Sequence, residues 1–380
     1  MKFDTRLIHS AQPPDPLTGA VNAPIYLSST FRQRAPNRHQ GYVYSRSANP
    51  TRAVLERTLA ELEGGATGLA FSSGLGALAT VLEAFPSGSR VVAIDDVYGG
   101  TWRLLDHHRR QFGIRPEFVD LSDPAVARAA LHEPADLVWL ETPTNPLLKL
   151  VDLRTVAKLA HRAGAFVAVD NTFATPALQR PIELGADLVL HSTTKYLGGH
   201  SDILGGALVL AKAADGERFA WLQNAVGAVP SPFDSFLVLR GIHTLGVRMR
   251  AHEASARAVA EELASHRAVR AVFYPGLARH PQHALARRQM SGYGGMVSLD
   301  LRGGGRAARR FLSRLSIFTL AESLGGVESL VDLPATMTHA SVPRAQREAH
   351  GVTDGLVRLS CGIEDPADLV DDVRSALRGL

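Results

Sequence analysis

The sequence predicts an α/β protein built on a doubly wound, mostly parallel sheet, followed by a smaller C-terminal domain of different character. Three observations predict it. Short apolar runs alternate with helical stretches: "TGLAFSS", "RVVAIDD", "ADLVWLE", "AFVAVDN", "ADLVLHS" and "GGALVLA". Each run is apolar almost throughout, which is the pattern of parallel strands covered on both faces. After about Leu239 the alternation stops.

Taken in order, residues 1–47 are rich in Pro, Asn, Ser and Arg and have little periodicity, so they read as an irregular arm. From Pro50 the stretch "TRAVLERTLAELEGG" spaces its apolar residues by three and four and meets a glycine stop, which predicts a helix. The six apolar runs follow, each leading into a helical pattern. "RGIHTLGVRMRAHEASARAVAEELASH" then reads as one long helix. "VRAVFYPG", "GGMVSLDL", "RAARRFLSRLS" and "GLVRLSCGIED" are shorter mixed segments. The expected division is an arm at 1–47, a sheet domain at 48–240 and a C-terminal domain at 241–380.

The 380 residues are 45% apolar and 21% charged, the composition of an ordinary globular enzyme. Lys and Arg number 41 against 37 Asp and Glu. The basic residues are scattered and the aromatics few, which argues against nucleic acid as a partner. A single cysteine, Cys361, excludes a disulfide framework within the chain and fits a reducing cytoplasm. The N-terminus "MKFDTRLIHS" lacks the apolar core of a signal peptide. No apolar run approaches the length of a membrane span. The expectation is a cytoplasmic protein with no membrane partner.

In an open parallel sheet, ligands sit beyond the carboxyl ends of the strands. The residues after the apolar runs are Ser72-Ser73-Gly74, Asp95-Asp96, Glu141, Asp170-Asn171 and Ser192 to Lys195. "GLGALA" at 74–79 matches the glycine fingerprint of a dinucleotide site, and Asp95 ends the next run. A nicotinamide oxidoreductase is therefore one reading, and a plain strand-to-helix turn is another. Both give backbone amides at a helix N-terminus, suited to a phosphate.

Lys195 and Asp170 favour a different cofactor. Lys195 follows three hydroxyl residues at the end of the run "LVLH", where a buried amine is costly unless chemistry uses it. If the runs ending at Asp170 and His191 are neighbouring strands, the aspartate and the lysine open into one crevice. Pyridoxal phosphate needs such a pair: a lysine amine to form a Schiff base, and an aspartate to keep the pyridine nitrogen protonated. Ser192 and Thr194 lie close enough in sequence to reach a phosphate beside the amides after Ser73. The histidines His191, His200, His107 and His108 match no metal-ligand spacing and are expected to be structural or on the surface. No metal is expected.

The chain resembles the Cys/Met-metabolism family of pyridoxal-phosphate enzymes, the cystathionine γ-lyase and γ-synthase group. "YSRSANPTR", "VYGGT", "ETPTNP", "VDNTFATP", "HSTTKYLGGHSD", "LAESLGGVESL" and "MTHAS" carry the resemblance, in that order, over nearly the whole length. It implies fold-type I, the aspartate aminotransferase-like α/β architecture, with a C-terminal α+β domain. It implies Lys195 as the Schiff-base lysine and proton shuttle, Asp170 on the pyridine nitrogen and Tyr98 stacked on the ring. Ser73, Gly74, Leu75, Thr172, Ser192 and Thr194 would complete the cofactor site. Arg358, with Asn145 and the backbone of Ser323, would hold the substrate α-carboxylate, a bidentate task suited to arginine. Tyr44 and Arg46 would reach into a neighbouring subunit's site and meet its phosphate. That implies a homodimer at least, and in this family a homotetramer built as a dimer of dimers.

The resemblance also bears on activity. Glu322 matches the acid that faces the distal amine of cystathionine, and counts against methionine γ-lyase and cystathionine β-lyase. Gly100 stands where methionine γ-lyases place a cysteine. Val43 replaces an acid found in many relatives, and Trp102 departs from the usual Asn or Tyr. Trp102 either narrows the substrate channel or packs. The expected activity is cystathionine γ-lyase on a small amino-acid substrate, with γ-synthase as the alternative. A nicotinamide (NAD) oxidoreductase and a non-enzymatic binding module are the rivals from other classes.

Overall fold

The computed structural model describes residues 1–380. The arm opens with α1 (Phe3–His9) and is otherwise irregular up to Asn49. Helix α2 (Pro50–Glu63) starts there for local reasons. The Asn49 side chain accepts from the amides of Thr51 and Arg52, and Pro50 fills the first position, where no N–H is needed. The helix stops at Gly64, whose φ of 78° suits a residue without Cβ.

The strands and helices then alternate: β1 (Thr67–Phe71), α3 (Gly74–Leu82), β2 (Arg90–Ile94), α4 (Gly99–Phe112), β3 (Arg115–Val119), α5 (Pro124–Ala130), β4 (Leu137–Glu141), α6 (Leu153–Arg162) and β5 (Phe166–Asp170). Next come α7 (Thr175–Leu178), a short 3-10 turn (Pro181–Leu184), β6 (Leu188–His191), β7 (Gly206–Leu210), α8 (Ala213–Val226) and α9 (Pro232–His243). The seven strands form one sheet in the order β1-β7-β6-β5-β4-β2-β3. Helices cover both faces. Leu78, Leu105 and Val156, from α3, α4 and α6, pack with the strands on one side. Leu55, Leu59 and Val238, from α2 and α9, pack with Ala70, Val189 and Val209 on the other.

Two features of this sheet depart from the sequence reading. The run "GGALVLA" forms β7, which is antiparallel to both β6 and β1, although its composition is that of a buried parallel strand. Only residues 192–205 separate β6 from β7, and they form no crossover helix. A parallel return needs such a crossover, so the chain doubles back. The second feature is β3, which no apolar run announces. It is a half-exposed edge strand, "RPEFV", and Pro116 is tolerated there because an edge strand leaves amides unpaired. The six strands other than β7 point the same way, so the carboxyl ends of β1, β4, β5 and β6 share one edge.

The stretch read as one helix is two: α9 and then α10 (Leu245–Ser265). The carbonyl of Gly241 accepts from Arg248 Nη2 at 2.7 Å and from the Thr244 hydroxyl at 3.2 Å, so side chains take up groups of the helical ladder at the junction. Gly241 also lies against the Lys195 loop, where a Cβ would stand 2.3 Å from the Gly198 carbonyl oxygen. Beyond α10 come β8 (Val269–Phe273), α11 (His283–Gln289), β9 (Met296–Leu301), α12 (Gly304–Leu312), β10 (Thr319–Leu320), β11 (Leu330–Asp332), α13 (Arg344–Ala349), β12 (Leu356–Ser360) and α14 (Pro366–Leu377). These strands form a second sheet, β10-β11-β12-β9-β8, parallel only between β10 and β11. Its own core joins Val297, Leu299, Val357 and Leu359 with Leu369 and Val373 of α14.

Candidate active site

A cavity of about 360 Å³ lies at the carboxyl edge of the first sheet and is closed on one side by residues of the second sheet and its links. Its size is that of a small-molecule site. Lys195 and Asp170 both line it, as the neighbouring positions of β5 and β6 require. Lys195 sits on the short β6–β7 link. Because β7 doubles back, that link stays at the carboxyl edge. Buried Arg248 holds it by donating to the Tyr196 carbonyl at 2.8 Å.

The Lys195 amine donates to the Ser323 hydroxyl at 2.6 Å. Its pKa is pulled down to about 8, first by burial and then by the Arg358 guanidinium, with Glu322 partly opposing them. Asp170 accepts from the Thr172 amide at 2.9 Å. Burial pushes its carboxyl up, and the bonds from Thr172 and the nearby His191 oppose that.

Ser73, Gly74 and Leu75 line the cavity at the start of α3. The Ser73 side chain caps that helix by accepting from the Gly76 amide at 3.0 Å. Gly74 comes so close to β6 that a Cβ there would stand 3.1 Å from the Ser192 Cβ. Helix-end amides and the Ser192 hydroxyl thus converge, and Thr194 lines the same cavity while exchanging hydrogen bonds with Gly205. Tyr98 lies at the N-terminus of α4 with its ring 37% exposed, and burial raises its phenol pKa.

The second sheet contributes Arg358, on β12 and 2% exposed. It donates to Asn145 Oδ1 at 2.9 Å and to the Ser323 carbonyl at 3.0 Å, and pairs with Asp332 across β11 at 3.0 Å. Its Nε is buried and has no hydrogen-bond partner in the protein. Ser323 therefore touches both Lys195 and Arg358. It holds a left-handed φ of 98°, uncommon for a residue with a Cβ and of the kind that collects at functional sites. Glu322 is exposed on the cavity wall.

Tyr44 and Arg46 are not among the residues lining this cavity. Tyr44 is 45% exposed, and Arg46 lies over its ring and donates to the Asn224 carbonyl at 2.6 Å. Buried Arg52 fixes the stretch by donating to the carbonyls of Ser45, Arg46 and Ser47. Val43 belongs to the same exposed stretch. Trp102 packs against the core beside the sheet and does not line the cavity, so packing is the reading the geometry supports. His191 is fully buried against Glu63 at 2.6 Å. His107 meets Phe112 edge-on and His108 meets it at a tilt, all three on α4.

Sequence reasoning passed over Asp332 and Arg248, whose partners lie far away in the chain. It noted Glu141 only as a strand end. The structure shows this carboxyl buried beside Asp170, with its pKa raised to about 8 by burial and by that neighbouring charge. The positions of Glu141 and Asp170 at the ends of two neighbouring apolar runs were the available signal.

The donor set fits pyridoxal phosphate. A depressed lysine amine can link to its aldehyde, a carboxyl lies one strand away for the ring nitrogen, and a helix N-terminus with hydroxyls suits its phosphate. By fold and by site, the class so defined is the fold-type I pyridoxal-phosphate enzymes.

Comparison with known proteins agrees. The family model for "Cys/Met metabolism PLP-dependent enzyme" matches residues 4–378. The chain is 51% identical to a cystathionine β-lyase of Coxiella burnetii, over 99% of this chain and 97% of that one. It is 50% identical to a cystathionine γ-lyase of Bacillus subtilis over the full length of both. The crystal structure of cystathionine γ-synthase from Xanthomonas oryzae pv. oryzae in complex with cystathionine superposes with a TM-score of 0.97 at 48% identity, covering 99% of this chain and 98% of that one. The chain belongs to the Cys/Met metabolism family of pyridoxal-phosphate-dependent enzymes, and its cofactor is pyridoxal 5'-phosphate. Its setting is cysteine and methionine metabolism. None of these relatives is an oxidoreductase, and the dinucleotide reading of "GLGALA" has no support.

Proposed function

We propose that the protein is a cystathionine γ-lyase, which converts cystathionine and water to cysteine, 2-oxobutanoate and ammonia. One observation carries the reading that the site handles cystathionine: Glu322 is an exposed acid on the cavity wall, next in sequence to Ser323, which touches both Lys195 and Arg358. An acid there suits a substrate with a second ammonium group.

The geometry supports the following roles. Arg358, steadied by Asn145 and the Ser323 carbonyl, grips the α-carboxylate. When bound at Lys195, pyridoxal phosphate supplies a ring that accepts the electron pair released at Cα. The freed Lys195 amine takes the Cα proton, and its depressed pKa suits it to act as a base near neutral pH. Asp170 would keep the ring nitrogen protonated. Tyr98 would cover the ring face, and the residues at 73–75, with Thr172, Ser192 and Thr194, would hold the cofactor. Glu322 binds the distal ammonium.

The site is completed by a second subunit. Tyr44 and Arg46 are exposed and stand apart from the cavity of their own chain, which supports a role in a neighbour's site. The assembly is a homotetramer of two such dimers. The arm spans 1–47, the cofactor domain 48–240 and the C-terminal domain 241–380. No helix is long and apolar enough to cross a membrane, and we place the enzyme in the cytoplasm.

Two other reactions of the family are specific alternatives. Cystathionine γ-synthase has support from the structural match and from a Mycobacterium tuberculosis relative of that name at 53% identity. Cystathionine β-lyase has support from the Coxiella relative. A product assay separates them. A γ-lyase releases cysteine and 2-oxobutanoate from cystathionine, and a β-lyase releases homocysteine and pyruvate. A synthase makes cystathionine from O-acyl-homoserine and cysteine. Absence of 2-oxobutanoate from cystathionine overturns the proposal.

A further inference from the structure

We propose that Glu141 is a positioning residue of this site, one that seats the N-terminus of α4, and with it the Tyr98 ring, while setting the field at Asp170. The inference rests on the cofactor reading above and adds a residue to it.

Helix α4 has no cap of its own. Tyr98 occupies the N-cap position, and its side chain makes no capping bond. The first amides of a helix need partners, and an anion is favoured there. Glu141 supplies both from the end of β4. Its Oε2 accepts from the Tyr98 amide at 2.8 Å, and its Oε1 from the Thr101 hydroxyl at 2.9 Å and the Trp139 indole N–H at 3.3 Å. Three donors thus converge on one buried carboxylate. The turn they fix is tight. A Cβ on Gly99 would stand 2.1 Å from the Thr338 carbonyl oxygen, and one on Gly100 would stand 2.4 Å from the Tyr98 ring. With its backbone pinned, Tyr98 has only its two side-chain torsions left to choose.

The same carboxylate faces Asp170. The two residues are register partners on neighbouring parallel strands, so their side chains leave the same face of the sheet about 4.8 Å apart at the backbone. Both line the cavity. Burial raises the pKa of each, and the Asp170 charge is the second cause of the rise at Glu141. Other charged or titratable groups around them are Tyr98 on α4, His191 on β6, Lys195 on the β6–β7 link, Glu322 before β11 and Arg358 on β12. Above about pH 8, where Glu141 ionises, its charge beside Asp170 makes a protonated cofactor more favourable than Asp170 alone would.

The test uses the holoenzyme and two variants that separate charge from reach. Glu141→Gln removes the charge that Glu141 gains above about pH 8 and keeps an acceptor for the Tyr98 amide. It should still take up pyridoxal phosphate, with the pH midpoint of the cofactor's visible absorbance lowered by about half a unit or more. Glu141→Asp keeps the charge but falls short of α4. It should keep the midpoint and lose about tenfold in kcat/KM. Wild-type midpoint and kcat/KM in the glutamine variant would overturn the proposal. If either variant fails to fold, Thr101→Val removes one of the three donors. It should lower the midpoint and kcat/KM in the same directions by less, and wild-type values there overturn the proposal too. A wild-type protein that never acquires cofactor absorbance would instead refute the functional reading itself, so the two failures are distinguishable.

Discussion

The Lys195 amine and the Ser323 hydroxyl meet at 2.6 Å, joining the β6–β7 link of the first sheet to the β10–β11 link of the second. The contact ties the cofactor lysine to the residue whose carbonyl steadies Arg358 at 3.0 Å. Lys195→Ala should abolish turnover and the borohydride-fixed cofactor adduct, while circular dichroism stays that of the wild type. Measurable turnover in this variant would refute the assignment of Lys195.

The lowered pKa of Lys195 gives a pH prediction. Only the neutral amine attacks an aldehyde, and this one becomes neutral above about 8 rather than above its ordinary 10.5. The rate at which cofactor-free protein captures pyridoxal phosphate should rise with pH, reach half its maximum near 8 and level off by about 9. Stopped-flow absorbance checks it. A rate still climbing between pH 9 and 10 would show an unperturbed lysine.

Glu322 is exposed, so solvent weakens its hold on a substrate ammonium. Glu322→Ala should raise KM for cystathionine by about threefold to fivefold, the effect of a solvent-exposed ion pair. KM for an O-acyl-homoserine, which has no distal amine, should stay constant. Steady-state kinetics on the two substrates decide it, and equal effects would remove Glu322 from substrate recognition.

Arg358 and Asp332 form a buried ion pair, 2% and 1% exposed. Breaking such a pair strands a charge, at a cost of roughly 3–5 kcal/mol. Asp332→Ala should destabilise the fold by that order in urea unfolding. Arg358→Lys keeps a charge but loses the fork, so KM should rise by about tenfold or more with a smaller change in kcat.

Tyr44 and Arg46 give a complementation test. Arg46→Ala and Lys195→Ala should each be nearly inactive alone. Co-refolded, they should regain activity, because a mixed dimer then holds one site with both an intact Lys195 and a partner-supplied Arg46. No recovery would place Arg46 in the service of its own chain, where it meets Asn224.

Much of the first sheet was legible because parallel strands buried on both faces leave apolar runs. Residues after those runs line the cavity, so Ser73, Asp170, Ser192 and Lys195 stood out in the sequence. Strand β3 did not, since a half-exposed edge strand containing Pro116 carries no such run. Arg358 was found through its motif, and its partner Asp332 was not, because that pairing depends on the register of β11 against β12. The break between α9 and α10 escaped because Arg248 and Thr244 divert the Gly241 carbonyl through side-chain contacts that periodicity does not record.

By itself the sequence determined which side chains stand at strand ends, which turns face a phosphate, and the family whose motifs those are. These are local properties: apolar period, capping residues and spacing. The tertiary structure alone decided that β7 runs backwards and keeps the Lys195 link at the carboxyl edge. It also decided that Glu141 lies beside Asp170 and that Ser323 touches both Lys195 and Arg358. Those contacts join residues 29 to 128 positions apart. They follow from the order in which strands pair and from how the two sheets close on each other, and no local stretch of the chain encodes either.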